Sequence, residues 1–152
     1  IYEGTTGIQA NDLIFRKLMR DRGATAQRLF AEIERTVSAL RGHTDPLLNG
    51  VGRRLQSGLE QWRDVTRLVL ASAKNKPELV LTAAVPYLHL AAMICNGWLM
   101  GQAALVARRR IGEGHVAAAF LHGKGESACF YADHLLPQAV ACAVTVLACL
   151  EE

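Results

Sequence analysis

Little in this sequence would make a sheet. β-Branched residues are few and no apolar–polar alternation is sustained, while Ala and Leu are abundant. Almost no strand is therefore expected, and the fold class is all-α. Paired cysteine motifs are missing too. Cys95, Cys129, Cys142 and Cys149 each sit in an apolar stretch with no Cys-x-x-Cys spacing, which argues against a zinc knuckle or a redox pair and suits reduced thiols in the core of a cytosolic protein. Cys142 and Cys149 stand two helical turns apart on one face, the spacing of core positions. His115 and His122 have the same separation, but no carboxylate completes a ligand set beside them, so no metal site is expected. Strong charge of either sign is also lacking. A net charge of +3 spread over the chain names no partner, and without aromatic–basic interleaving no nucleic-acid partner is expected.

Fixed charge is absent from one long interval, Leu79 to Ala107. That length would span a bilayer, and Gly97-Trp98-Leu99-Met100-Gly101 has the small-residue spacing of close helix pairs. Against a span stand Pro86, His89, Asn96 and Gln102 inside the run and the absence of flanking aromatic belts. The neighbouring segments also have one-sided patterns that need a buried partner. A central bundle helix, apolar all round because it is surrounded, accounts for the run without a membrane. Arg108, Arg109 and Arg110 close it where cations favour the helix dipole.

The 152 residues are enough for one core, and periodicity divides them into five helical segments. The first runs from about Gly7 to Asp21 with Ile8, Leu13, Ile14 and Leu18. The second opens at Thr25 as N-cap and repeats Ala26, Leu29, Ile33, Val37 and Leu40 at three–four spacing. Asp45-Pro46 caps and opens the third, which carries Leu48, Val51, Leu55, Leu59, Trp62 and Val69. Asn75-Lys76-Pro77 starts the fourth. The fifth runs from about His115 to Leu150, frayed by His122-Gly123-Lys124-Gly125 and kinked at Pro137.

The richest stretch for function is the opening Ile1-Tyr2-Glu3-Gly4-Thr5-Thr6-Gly7-Ile8-Gln9. Thr6 to Gln9 fits a capping box, so a helix should start near Gly7. Its unpaired N–H groups and dipole would point back over Thr5 and Gly4, a seat for phosphate or another anion. Glu3 would then be a carboxylate on a ligand-facing loop. The same residues also describe an ordinary loop carboxylate beside an ordinary helix cap.

Tyr2-Glu3-Gly4-Thr5, followed by Ile8-Gln9 and Asp12-Leu13, resembles the catalytic-base loop of the acyl-CoA dehydrogenases. The resemblance implies that Glu3 removes the α-proton of an acyl-CoA thioester while the β-hydrogen leaves as hydride to the flavin of FAD. It also implies that the Glu3 backbone N–H helps stabilise the enolate-like oxygen. Thr5, Thr6 and Gly7 would lie against the flavin dinucleotide, and Gly4 would border the acyl-CoA. Two later patterns, Pro86-Tyr87-Leu88-His89-Leu90 with Gly97 to Met100, and Cys129 to Ala139, are similar to an extra C-terminal helical domain. That domain occurs in one subgroup of the family, which includes enzymes acting on 3-methylmercaptopropionyl-CoA.

The family places this loop at the entry to the last helix of its C-terminal bundle, after a helical domain and a β-domain. Here it is at residue 1 with no initiator Met, so the chain is expected to be a C-terminal piece, inactive alone. Residues 1–22 would close the dehydrogenase helical domain, and residues 23–152 would form an added antiparallel four-helix bundle. The implied partners are an acyl-CoA substrate, an electron acceptor, the upstream catalytic domains and a second copy in a homo-oligomer, all cytoplasmic and with no membrane span. The competing reading is a free-standing helical interaction module that retains the loop sequence without catalysis. The full open reading frame would separate the two.

Overall fold

The structure is a computed structural model that describes residues 4–114 and 116–151, and every described element is helical. Helix α1 (Thr6–Asn11) continues into a π-helical stretch over Asp12–Leu18. Then follow α2 (Ala24–Arg41), α3 (Pro46–Ser72), α4 (Pro77–Gly112) and α5 (Ala118–Phe130). A second π-helical stretch, Tyr131–Leu135, joins α5 to α6 (Gln138–Glu151). The all-α expectation holds.

Short links force successive long helices to run antiparallel, and the contacts fix their register. Phe30 packs edge-on against Trp62 across α2 and α3, with ring centroids 4.8 Å apart, while Arg41 at the far end of α2 bonds Gln56. Between α3 and α4 the buried hydroxyls of Thr66 and Tyr87 are 2.9 Å apart. The Tyr131 hydroxyl, beyond the end of α5, donates to the Met93 carbonyl of α4 at 3.1 Å. These pairs describe an up-down-up-down four-helix bundle with α5 and α6 sharing its fourth position.

The predicted stripes supply most of the observed core, although Ile8 is 66% exposed and Leu13, Ala26 and Leu29 are half-buried. Ile33, Val37 and Leu40 of α2 and Leu48, Val51, Leu55, Leu59, Trp62 and Val69 of α3 are all buried, alongside Val80, Leu90 and Ile94 of α4. The small residues of α4 admit partners from both sides. A Cβ on Gly101 would stand 2.8 Å from a methyl of Leu40, and one on Gly97 would touch Leu55 and Leu136. Helix α4 touches every other rod, yet it is not surrounded as its composition suggested. Leu81, Leu99 and Val106 are exposed, Leu99 by 54%, and the apolar surface continues over Phe120 and Phe130 of the α5 arm, 65% and 60% exposed. Both α4 and the α5–α6 rod are long and apolar enough to cross a membrane.

The helix ends and breaks follow their sequence expectation only in part. Gly23, with φ of +83°, takes the N-cap position of α2, and Thr25 lies inside the first turn. The cap is supplied by Asp21, whose carboxylate accepts from the Gly23 N–H, the Thr25 N–H and the Thr25 hydroxyl. Asp45 does cap α3, accepting from the Leu47 N–H at 2.9 Å with Pro46 behind it. The glycines at 123 and 125 do not fray α5, which is helical throughout. Pro137 acts earlier than a simple kink: the Leu136 N–H reaches back five residues to the Tyr131 carbonyl at 2.9 Å. This wider turn accommodates a ring that would clash in an α-helix.

One glycine is sterically required by the α2–α3 contact. A Cβ on Gly52 would stand 2.9 Å from the Leu40 Cβ and 3.0 Å from the Arg41 backbone nitrogen, atoms that cannot swing aside. Gly52→Ala is therefore expected to destabilise the chain by about 1–3 kcal/mol despite the better helix propensity of Ala. Urea unfolding followed by circular dichroism measures it, and an unchanged midpoint would show that the helices separate freely.

Candidate functional site

The loop that resembles the base loop, Tyr2 to Thr5, is described only from Gly4 onward. Glu3, the candidate catalytic base, lies outside the described residues. Gly4 is exposed in a turn, Thr5 is exposed at the N-cap position of α1, Thr6 is the first residue of the helix and half-buried, and Gly7 is exposed in its first turn. The capping box is not formed. The helix begins one residue earlier than expected, and Thr5 at the cap makes no side-chain capping bond, so the Thr6–Gln9 reciprocity has no place. The first backbone bond of the turn is from the Gln9 N–H to the Thr5 carbonyl, 2.9 Å. By the geometry of any helix start, the N–H groups of Thr6, Gly7 and Ile8 have no partner inside the helix.

The glycines of this turn are free of the bundle. A Cβ on Gly4 or Gly7 would have nothing within 4 Å, and neither residue has positive φ. Nothing within the described chain asks for glycine at these positions. An open, donor-rich backbone with room on its outer side is what an approaching phosphate or acyl chain would use.

What holds the turn is the buried stripe below it. Ala10 and Ile14 are fully buried and Leu18 nearly so, in the same core as α2, α3 and α4. The π-helical stretch carries this stripe past Asp12, whose carboxylate binds Arg16 and, at 3.4 Å, Lys17. The Arg16 bond holds the Asp12 carboxyl below its ordinary range, and the bond from the Thr25 hydroxyl does the same for Asp21.

Two features had no sequence signal. A cavity of about 500 Å³ opens where the first π-helical stretch meets α2, walled by side chains that include Leu13, Leu29, Trp62 and Tyr87, with Arg16, Lys17 and Arg20 among the charged residues around it. The Tyr87 hydroxyl, pushed up by burial, is held by Thr66 and lies near the Trp62 indole N–H, which has no hydrogen bond of good geometry. At the other end of the bundle, Arg108 of α4 joins the α3 cap to α5. It binds Asp45 at 2.5 Å and lies 3.3 Å from His122 Nδ1. Each arrangement draws its members from three or more helices, so no spacing along the chain announces it.

The cysteines are half-buried against the core and unpaired, less deeply placed than core positions. Burial pushes the thiols of Cys95, Cys129 and Cys142 up. Among the described residues no three His, Cys, Asp or Glu side chains gather as a metal site would require.

Comparison with known proteins adds what geometry cannot. Residues 29–150 match the family described as acetyl-CoA dehydrogenase C-terminal like. The chain is 35% identical over 136 residues to 3-methylmercaptopropionyl-CoA dehydrogenase of Ruegeria pomeroyi, covering 90% of this chain and 23% of that protein. It is 29% identical over 140 residues to butyryl-CoA dehydrogenase of Syntrophomonas wolfei, covering 90% of this chain and 22% of the relative. A broad-specificity linear acyl-CoA dehydrogenase of Mycobacterium tuberculosis is 29% identical over 145 residues, 90% of this chain and 23% of the relative. The chain thus spans less than a quarter of the length of these curated relatives.

The open surroundings of Gly7 give a direct expectation for the bare chain. With space for a methyl group and helical backbone already in place, Gly7→Ala should raise stability by about 0.5–1 kcal/mol by restricting the unfolded chain. Denaturant unfolding reads it, and a loss of stability would mean that the turn itself requires glycine.

Proposed function

Because this chain belongs to the acetyl-CoA dehydrogenase C-terminal-like family, the C-terminal part of acyl-CoA dehydrogenases, we propose that it is the C-terminal part of an FAD-dependent acyl-CoA dehydrogenase that converts an acyl-CoA thioester to the 2-enoyl-CoA and is inactive alone. The observation that carries this reading is the family match over nearly the whole bundle. The Tyr2-Glu3-Gly4-Thr5 loop precedes the matched region in the sequence, with residues 6–28 between them.

The residues present suit the groups that reading requires. Free N–H groups at the head of α1, and glycines whose outer side is open, fit a pyrophosphate and a neighbouring acyl chain. Thr5, Thr6 and Gly7 would hold the dinucleotide and Gly4 would border the acyl-CoA. FAD, when bound, supplies the hydride acceptor. Glu3 takes the α-proton, which the thioester makes acidic by spreading the developing charge onto its oxygen, and the Glu3 backbone N–H donates to that oxygen. The Asp12 carboxylate, the next acidic group along the chain, is engaged with Arg16 and Lys17 and does not compete with Glu3 as the proton acceptor.

In this reading residues 1–22 finish the catalytic helical domain and residues 23–152 form an added bundle that packs on the catalytic body or on a second copy in a cytoplasmic homo-oligomer. The exposed Leu99, Phe120 and Phe130 support a packing role. Polar contacts such as Trp98 Nε1 to Thr36 Oγ1, 2.8 Å, and the one-sided α2 and α3 support a bundle with no membrane span. A free-standing interaction module is the alternative, and an open reading frame without upstream flavin- and acyl-binding domains would favour it.

Two experiments on the full-length parent test the reading. Glu3→Gln keeps shape and the backbone N–H but removes the proton acceptor, so flavin and acyl-CoA binding should persist while flavin bleaching after anaerobic mixing with acyl-CoA slows by roughly 10²–10⁴. Bleaching at the parent's rate would remove Glu3 from the chemistry. Truncation after Arg22 strips the remainder of the core from α1, and each large apolar side chain buried there contributes about 1.5–3 kcal/mol. Lost solubility or altered oligomer size should therefore precede any change in the chemical step, and a soluble, normally assembled, fully active truncate would show the bundle to be a passenger.

A further inference from the structure

We propose that the cavity between the first π-helical stretch and α2 binds a single-chain amphipathic anion: an aliphatic tail of medium length carrying one carboxylate. The site is separate from the loop chemistry above and does not depend on it. Its volume, about 500 Å³, lies within the range of about 300–1,000 Å³ typical of small-molecule sites. Leu13, Leu29 and the rings of Trp62 and Tyr87 give it an apolar wall. These side chains come from α2, α3, α4 and the π-helical extension of α1, so the cavity exists only in the assembled fold.

The charges around it select the head group. Three cations stand there, but Arg16 and Lys17 share the single carboxylate of Asp12. Asp21, the acidic member of the lining, spends its oxygens on the Gly23 and Thr25 N–H groups and the Thr25 hydroxyl. Among the described residues Arg20 is therefore left without a carboxylate partner. A cationic head would meet a lining of net positive charge, and a neutral one would leave Arg20 unused. A carboxylate would form a charge-assisted bond with the Arg20 guanidinium, a planar fork that matches its two oxygens, while its tail replaces solvent against the leucines and aromatic rings.

The test is calorimetric titration of the chain with decanoate, 1-decanol and acetate, paired with tryptophan fluorescence in a Trp98→Phe background so that Trp62 is the reporter. Decanoate should bind saturably at one site and perturb Trp62, whereas acetate should not. Arg20→Gln, an exposed change that leaves the core intact, should weaken decanoate by about tenfold and leave decanol unchanged. Leu29→Trp should fill the cavity and abolish both, and if circular dichroism shows that variant unfolded, Ala26→Leu takes its place with the same expectation. Absence of saturable decanoate binding overturns the proposal. So does binding indifferent to Arg20→Gln, or binding that survives a folded cavity-filling variant, which would locate the ligand on the exposed apolar face of α4 and α5.

Discussion

Helix α4 is the constraint on which the rest of the fold depends. It is 36 residues long, carries no fixed charge for most of its length and touches every other rod. Such a helix has no polar face to turn to water, so its neighbours must supply the cover. They do so by close approach rather than by bulk. The leucines of α2, α3 and the α5–α6 junction seat on Gly97 and Gly101. Polar groups on α4 meet partners placed for them: Trp98 donates to Thr36, Tyr87 shares a hydrogen bond with Thr66, and the Met93 carbonyl accepts from Tyr131. Each such pair fixes a register that apolar contact alone would leave free to slide, because hydrogen bonds are directional and the hydrophobic effect is not.

The cover is incomplete on one side. Leu99, Val106, Phe120 and Phe130 stay in contact with solvent, while Ile33, Val37 and Leu40 of α2 and Leu48, Leu55 and Leu59 of α3 are buried. A helix whose composition is apolar all round and whose burial is one-sided has surface matched to something other than water. This is the physical content of the packing role proposed for the bundle.

What the sequence made legible was what repeats. The three–four spacing of Ile33, Val37 and Leu40, and of Leu48 through Val69, reports a buried face directly, and Asp45-Pro46 reports a cap because its chemistry is local. What it hid was competition between local alternatives and anything assembled from distant residues. Thr25 has the hydroxyl of a cap, but Asp21, four residues earlier, captures both that hydroxyl and its N–H. Thr6 and Gln9 fit a capping box that one residue of shift in the helix start removes. Pro137 signalled a break, and the chain absorbed it by widening the preceding turn. The cavity beside Arg20 and the Asp45–Arg108–His122 cluster join residues up to scores of positions apart, where periodicity has nothing to say. The loop residues Gly4 to Gly7 were legible only as a motif, since their surroundings within the described chain impose no requirement on them.

That absence of requirement is itself informative when set beside the stripe below it. Gly52 is glycine because α2 leaves no room for more, whereas Gly4 and Gly7 face open space. Such a turn leaves its backbone donors and its outer side open. Its position is nevertheless set by the fold, through Ala10, Ile14 and Leu18 locked in the common core. The described physical link between the bundle and this turn is therefore a single stripe on a short helix, stiffened by the Asp12 ion pairs and ended by the Asp21 cap. A bundle joined in this way fixes the turn of residues 4–7 relative to its core through buried apolar contact rather than through the residues of the turn itself.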